Sequence, residues 1–323
     1  MSAPRVALVG ARRVRQGLGP FVARYLAGAG VEVGAVLGTS PESAASAAGE
    51  LAERFGIRAR PHTSLDELLA KESIDALAIL SPAETHERYL RAALDARLHV
   101  LCEKPLVWGA ADFARRGREL VDGFRARGLL LEENCQWPHV LDAFRALHPG
   151  WDGNPPGRFA MLLAPAARGI EALRDALPHP LSLLQVLCPD PDPHLEAIRF
   201  ERVSRVPETM RVGFVYCAQG ARVRCTVDLR ADEQVPRPAA LEIDGLRAER
   251  RIRLPDYRME LADGERTVPL PDPLERHLFV FTADLRAALA GSAPADPVPI
   301  ACRLALLEVL VDACPPELHD VSR

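Results

Sequence analysis

Lys104, Asp175 and His179 have the types and the settings for proton and charge chemistry. Asp175 and His179 stand four residues apart, the spacing that puts two side chains on one face of a helix. A carboxylate so placed orients an imidazole or stabilises its charge, and an imidazole titrating near neutrality can carry a proton. Asp–His pairs at this spacing are also common on helical surfaces. Lys104 lies in Glu103-Lys104-Pro105, directly after the apolar run His99-Val100-Leu101-Cys102. Of the 40 basic residues, two are lysines, Lys71 and Lys104, and the other 38 are arginines. An ammonium is a compact acid whose pKa can be tuned, whereas a guanidinium stays protonated. Lys71 falls in a polar stretch and is expected to face solvent. Standing alone, Glu-Lys-Pro would be an ordinary surface turn.

The elements that must hold these residues alternate in the first half. Residues 5–10 (RVALVG) form a short apolar run ending in glycine, as buried parallel strands do. Phe21, Val22, Tyr25 and Leu26 follow at helical spacing. Strands are expected at 31–37, 74–80, 99–102 and 129–131, and helices at 41–55, 83–95 and 110–128, with Ser40 capping before Pro41. This order implies a doubly wound parallel sheet with right-handed crossovers. Beyond about residue 150 the prolines cluster, and strand-like segments crowd at 158–163, 195–200, 210–217, 221–229, 239–243 and 257–261. These read as an antiparallel sheet domain. Helices return at 273–290 and 299–313. A length of 323 residues fits two domains.

The turn after the first strand is where a dinucleotide would meet backbone amides. A glycine fingerprint needs small residues for the turn, the pyrophosphate approach and helix packing. Gly10 is present, but Arg12 and Arg15 stand where the next two glycines would fall. Gly17 and Gly19 come later, before Pro20, so the loop is lengthened and the helix starts near Pro20. Its N-terminal amides could still bind phosphate, and a plain strand–loop–helix turn would read the same way. At the end of the second strand an NAD enzyme usually offers a carboxylate to the ribose. This chain offers Gly38-Thr39-Ser40. Small hydroxyls, with Arg12 or Arg13, suit a 2′-phosphate better, so NADP is preferred to NAD. Ser40 serves equally as an N-cap.

Residues 74–106 read IDALAILSPAETHERYLRAALDARLHVLCEKPL. A strand ends in Ser81-Pro82, His86 follows four residues beyond the proline, and a second strand runs into Glu103-Lys104-Pro105. The segment resembles the Gfo/Idh/MocA family of nicotinamide-dependent oxidoreductases. In that family the lysine of Glu-Lys-Pro lies beside nicotinamide and substrate, which implies that role for Lys104. Ser81, Pro82, His86 and Glu103 are then cofactor-side residues, with His86 shaping the cofactor loop or capping its helix. The family's Asp-x-Gly-x-His helix is matched by Asp175 and His179 within GIEALRDALPH, with Gly169 at its entry. Leu177 replaces the glycine, Pro178 precedes the histidine, and Ser182 stands where many relatives carry an acid. Gln136, Trp137 and Arg168 are substrate-side candidates. Cys135 is read as an inert buried thiol.

The resemblance implies an α/β chain. An N-terminal Rossmann-type doubly wound parallel sheet (1–125) precedes a C-terminal α+β domain (126–323) with an open, mostly antiparallel sheet for substrate binding and oligomerisation. The helix near 299–313 is expected to pack back on the first domain. The implied activity is NAD(P)-dependent hydride transfer to or from a sugar, polyol or related small hydroxyl or carbonyl compound. His179 is the expected proton donor or acceptor, Lys104 the electrostatic stabiliser, and Asp175 the orienter. The alternatives are a non-catalytic cofactor- or ligand-sensing relative with a degenerate glycine loop, or a redox-assisted lyase or glycosidase. A homodimer or homotetramer through the C-terminal sheet is expected.

A net charge of −4 gives no field for gathering nucleic acid. No apolar run is long enough to span a membrane, and the basic residues follow rather than precede the first apolar stretch, unlike a signal peptide. The seven cysteines contain no CxxC pair. They are read as reduced thiols of a cytoplasmic protein, with no metal expected.

Overall fold

The computed structural model describes residues 2–12, 17–109, 111–205, 207–254 and 256–319. In chain order the first elements are β1 (Arg5–Val9), α1 (Gly19–Gly28), β2 (Glu32–Leu37), α2 (Pro41–Phe55), β3 (Arg60–His62), α3 (Leu65–Lys71), β4 (Ala76–Ile79), α4 (His86–Asp95), β5 (His99–Cys102), α5 (Phe113–Ala126) and β6 (Leu131–Glu133). There follow α6 (Leu141–Leu147), β7 (Arg158–Leu163), α7 (Gly169–Ala176), α8 (Pro178–Leu187), β8 (His194–Arg205), β9 (Glu208–Ala218), β10 (Ala221–Arg230), β11 (Ala239–Ile243), β12 (Leu246–Arg253), β13 (Arg258–Asp263) and β14 (Arg266–Leu270). The chain closes with α9 (Pro273–Leu289) and α10 (Val298–Asp312).

Two compact units result. The first runs to Asn134 and takes in Leu274–Ala301; the second is Cys135–Pro273 with the chain from Cys302 on. In the first, the described strands form a six-stranded sheet ordered β3-β2-β1-β4-β5-β6. Every pairing in it is parallel. The strand order reverses between β1 and β4, the switch point at which doubly wound sheets bind ligands beyond the strand C-termini. β1, β4 and β5 are nearly all apolar, because a parallel sheet is covered on both faces. Val6, Leu8, Val22, Leu26, Val36 and Leu51 share one core with Leu274, Leu278, Phe281 and Leu285 of α9. Those four recur at the spacing of one helical face. Arg286 ties the same helix to the end of α1, donating to the carbonyls of Ala29 at 2.6 Å and Gly30 at 3.0 Å.

In the second unit the described strands form an eight-stranded sheet ordered β14-β13-β12-β11-β7-β10-β9-β8. It is antiparallel except between β7 and β10. Burial alternates along β7, β9 and β10, so Phe159, Met161, Val212, Phe214, Val223 and Val227 point to the covered face. Arg158, Arg211, Arg222 and Arg224 lie on the other face, which stays half-exposed. That is the pattern of an antiparallel sheet with one solvated side.

The fold class matches the expectation, and several boundaries move. The division falls at Asn134/Cys135 rather than 125/126, because β6 completes the parallel sheet. α9 supplies an apolar face to the first core, and the division passes through α10, whose first turn falls in the first unit. β3, α3, β12 and β14 are additions; β12 and β14 are too polar to stand out as apolar runs. No helix among the described residues is long and apolar enough to cross a membrane.

Replacing Leu278, which is fully buried, by alanine should destabilise the N-terminal unit by about 2–5 kcal/mol. Denaturant unfolding measures this. A loss under about 0.5 kcal/mol, ordinary for a surface change, would mean that α9 is not part of that core.

Candidate functional site

The ends of β1, β4 and β5 are locked together by a few contacts. Gly10 ends β1 with φ +79°, and a Cβ there would come within 2.8 Å of the Ser81 backbone. Glycine is therefore required both for the turn and for the approach of the two strand ends. Ser81 and Pro82 form the turn after β4. The Ser81 hydroxyl lies 2.7 Å from that of Thr85, which donates to the Pro82 carbonyl at 2.7 Å. His86 opens α4 from a buried position. Its Nδ1 sits 2.9 Å from the Pro105 carbonyl and its Nε2 2.8 Å from the Ser81 carbonyl. A neutral imidazole has a single N–H and can donate to one of these carbonyls at a time. Protonation would serve both, yet burial outweighs that gain and holds the His86 pKa below the usual histidine value.

Lys104 follows β5 directly and is half-buried. Its neighbours on both sides are fixed. The Glu103 amide donates to the Ile79 carbonyl at 2.8 Å, and its carboxylate accepts from the Asn134 side-chain amide at 2.5 Å. Pro105, joined through a cis peptide, holds His86, and the Leu106 amide donates to buried Glu133 at 2.7 Å.

The turn after β1 keeps part of a nucleotide site. Gly19 is the first residue of α1, and a Cβ there would meet the Ala11 carbonyl oxygen at 2.2 Å. It thus does the close helix–strand packing expected of the last fingerprint glycine. Gly17 is half-buried just before it, Arg12 is exposed, and Arg13 lies outside the described residues. Ser40 and Ser43 form a complete capping box on α2, and Ser64 caps α3. Ser40 is taken up by its cap: its hydroxyl accepts from the Ser43 amide at 3.2 Å.

Beside it a cleft of ≈ 380 Å³ is lined by Leu37, Gly38, Thr39, Thr63, Leu65, Arg88 and Tyr89. That size falls in the range of small-ligand pockets, roughly 300–1,000 Å³. Arg88 and Tyr89 are the residues missed from sequence. The Arg88 guanidinium lies over the Tyr89 ring at 4.4 Å from its centre and donates to its hydroxyl at 2.5 Å. Nothing in a run of 38 arginines marks this one. Helical position beside the end of β4 is the signal that could have.

In the second unit Asp175 belongs to α7 and His179 to α8. The single helix expected across them is broken because Pro178 has no amide to donate. Leu177, at the junction, still has helical dihedrals of −67° and −25°. The Ser182 hydroxyl donates to the His179 carbonyl at 2.7 Å, so it holds the backbone of α8 in place of the acid. Trp137 is buried, with its ring centre 6.3 Å from that of His179 and 5.4 Å from the Arg250 guanidinium. Burial holds the Arg250 pKa below its usual value. Gln136 is half-buried beside it and Arg168 is exposed ahead of α7. The Cys135 thiol is buried and turned to the Pro178 carbonyl at 3.8 Å. Gly169 has φ +55°, and a Cβ would strike the His319 carbonyl oxygen at 2.4 Å. Its smallness serves packing against the C-terminal backbone.

A six-stranded parallel sheet with a cleft beyond its strand ends is the architecture of a Rossmann unit. Residues 4–131 match the model of the Gfo/Idh/MocA oxidoreductase family with an NAD-binding Rossmann fold. A dTDP-3,4-didehydro-2,6-dideoxy-alpha-D-glucose 3-reductase of Streptomyces violaceoruber is 41% identical over 105 residues, 31% of this chain and 29% of that protein. The matched stretch thus spans under a third of that relative's length. An inositol 2-dehydrogenase of Azotobacter vinelandii is 24% identical over 76% of this chain and 82% of its own. The fold is shared with KijD10, a 3-ketoreductase from Actinomadura kijaniata solved with TDP-benzene and NADP. The TM-score is 0.66 at 23% identity, covering 97% of this chain and 98% of that one.

The His86 bridge gives stability a pH dependence of known sign. The imidazole titrates near 6.5 when unfolded and lower when folded. On acidification the unfolded state therefore takes up the proton first. The contribution is complete above 6.5 and is lost as pH falls through that value, and His99, also lowered by burial, acts the same way. The calorimetric Tm should fall between about pH 7.5 and about pH 5.5, and less steeply in His86→Gln. Equal slopes in the two proteins would mean that His86 is not held neutral.

Proposed function

We propose that the protein is an NAD(P)-dependent oxidoreductase that transfers a hydride between a nicotinamide cofactor and a sugar, polyol or related small hydroxyl or carbonyl compound. The observation that carries this reading is the switch point of the parallel sheet. There the N-terminus of α1 and the Thr39 cleft lie within the stretch that matches the NAD-binding family. These residues fit a dinucleotide: the α1 amides suit the pyrophosphate and the cleft suits the adenosine. The relatives act on oxidised sugars and on inositol by name, which supports the substrate class. The nicotinamide, when bound, accepts or supplies the hydride.

The chain's own residues supply charge and protons. Removing a hydride from an alcohol requires removing the hydroxyl proton as well, and returning it reverses both. We assign the proton at the substrate oxygen to the imidazole of His179, with Asp175 orienting it. Lys104 stabilises developing negative charge on that oxygen and is a second proton partner. Gln136, Trp137 and Arg168 are the proposed substrate contacts. Lys104→Ala and His179→Ala should each lower turnover by about 10²-fold or more while cofactor still binds. Near-normal turnover in both would sink the assignment.

NADP is the favoured cofactor. Thr39 offers a hydroxyl and no acid stands at the end of β2, while Arg88 brings a guanidinium to the same cleft. A guanidinium there suits a 2′-phosphate, which NAD lacks. Fluorescence titration should show NADPH binding below millimolar concentration. Arg88→Ala should weaken it about tenfold and leave NADH nearly unchanged, since a hydrogen bond to a charged group is worth about 1.5–3 kcal/mol. Failure of both nucleotides to bind would overturn the oxidoreductase reading itself.

The remaining assignments are a cytoplasmic location and a homo-oligomer. All seven cysteines are thiols, as suits a reducing compartment. The half-exposed sheet face has a concavity of ≈ 360 Å³ lined by Arg158, Ala160, Arg224, Thr226 and Glu242, and a second copy of this chain is the proposed occupant. Light scattering should give a dimer or tetramer mass, and a monomer at micromolar concentration would refute it.

A further inference from the structure

His194, Glu196 and Cys217 meet at the edge of the antiparallel sheet and include none of the proposed catalytic residues. In the strand register His194 of β8 lies directly opposite Cys217 of β9. Cys217 in turn lies opposite Arg222 of β10. Glu196, two residues on from His194, shares its face. Just beyond it the ladder is interrupted: Ala197 has φ +51°, and the next pair resumes at Arg199. One imidazole, one carboxylate and one thiol thus converge, with their donor atoms all within 4.8 Å of one another. The His194 Nε2 is 3.4 Å from the Glu196 carboxylate.

We propose that this triad is a binding site for a borderline divalent cation of the zinc class. The donor set is the ground. Imidazole, thiolate and carboxylate are the ligands that Zn²⁺ takes, and a hard cation such as Mg²⁺ would not select a thiol. Around a tetrahedral ion with bonds of about 2.0–2.3 Å, donors stand roughly 3.3–3.8 Å apart. His194 and Glu196 are exposed, so their rotamers are free to close the remaining distance, while buried Cys217 stays as the fixed point. On binding, the Cys217 thiol gives its proton to solvent. The thiolate and Glu196 then balance the two positive charges. Three protein ligands leave the fourth position to water.

A cation already occupies this place. The Arg222 guanidinium donates to Glu196 at 2.7 Å and to the Cys217 sulfur at 3.5 Å. It is the charge that a metal would displace, and its side chain is 64% exposed, so it can swing into solvent. A metal therefore competes with Arg222, which sets this site apart from an ordinary surface ion-pair patch.

The test is titration of the chelator-stripped full chain with Co²⁺, followed by competition with Zn²⁺. The expected result is one ion per chain and a thiolate-to-cobalt absorption band that Zn²⁺ removes. Cys217→Ser should abolish the band, and His194→Ala and Glu196→Gln should each weaken binding at least tenfold. Arg222→Ala, which deletes the competitor and no ligand, should tighten it. The proposal fails if the wild-type chain binds no Co²⁺ below millimolar concentration. It fails equally if the band survives Cys217→Ser, or if Arg222→Ala leaves affinity unchanged or lower.

Discussion

The ends of the parallel strands depend on one buried imidazole. His86 stands against the carbonyls of Ser81 and Pro105 and so joins the segments that leave β4 and β5. Both strands point their carboxyl ends at the sheet's switch point, where small changes in loop position decide what can bind. Gly10 adds the third strand end, because its missing Cβ lets β1 and the Ser81 turn close to contact. Lys104 lies between a residue held by Asn134 and one whose carbonyl faces His86. Its backbone is therefore fixed from both sides, and the side chain inherits a defined origin. The neutral ring donates to one of the two carbonyls at a time.

This bridge was half legible in the sequence. Ser-Pro followed four residues later by histidine, then a strand and Glu-Lys-Pro, marks residues that shape one loop, and a loop-shaping role for His86 is what the hydrogen bonds describe. The second carbonyl was not legible, because Pro105 is 19 residues away and its approach depends on strand order. The alternation of strands and helices to residue 131 carried the parallel sheet, since apolar runs between helical stretches have few other packings. In the second sheet β12 and β14 were not legible. β12 (LRAERRIR) and β14 (RTVPL) present few apolar side chains, so no periodic signal announces them.

The glycines carried less information than their positions suggested. Gly10 and Gly19 are demanded by contacts of 2.8 and 2.2 Å that a Cβ would make, and a lengthened turn still leaves the helix docked. Gly169 looked like part of a site entry, yet it is demanded by the His319 backbone. Glycine in a motif thus reports a close approach without saying what approaches. Asp175 and His179 fall on two helices rather than one, and the break at Pro178 follows from a residue already in view.

The two lysines close the argument about positive charge. Lys71 donates to Glu67 at 2.6 Å one helical turn away, a solvated pair whose charge an arginine could supply as well. Lys104 differs in setting: it follows a buried strand, is itself half-buried, and is flanked by residues fixed to the Ile79 and Asn134 groups. A guanidinium there would bring a longer planar fork and a charge that does not titrate. In a chain that writes its other positive charges as arginine, an ammonium at this position is chemistry that arginine cannot copy. That difference, more than the rarity of lysine itself, is the physical ground of the role proposed for Lys104.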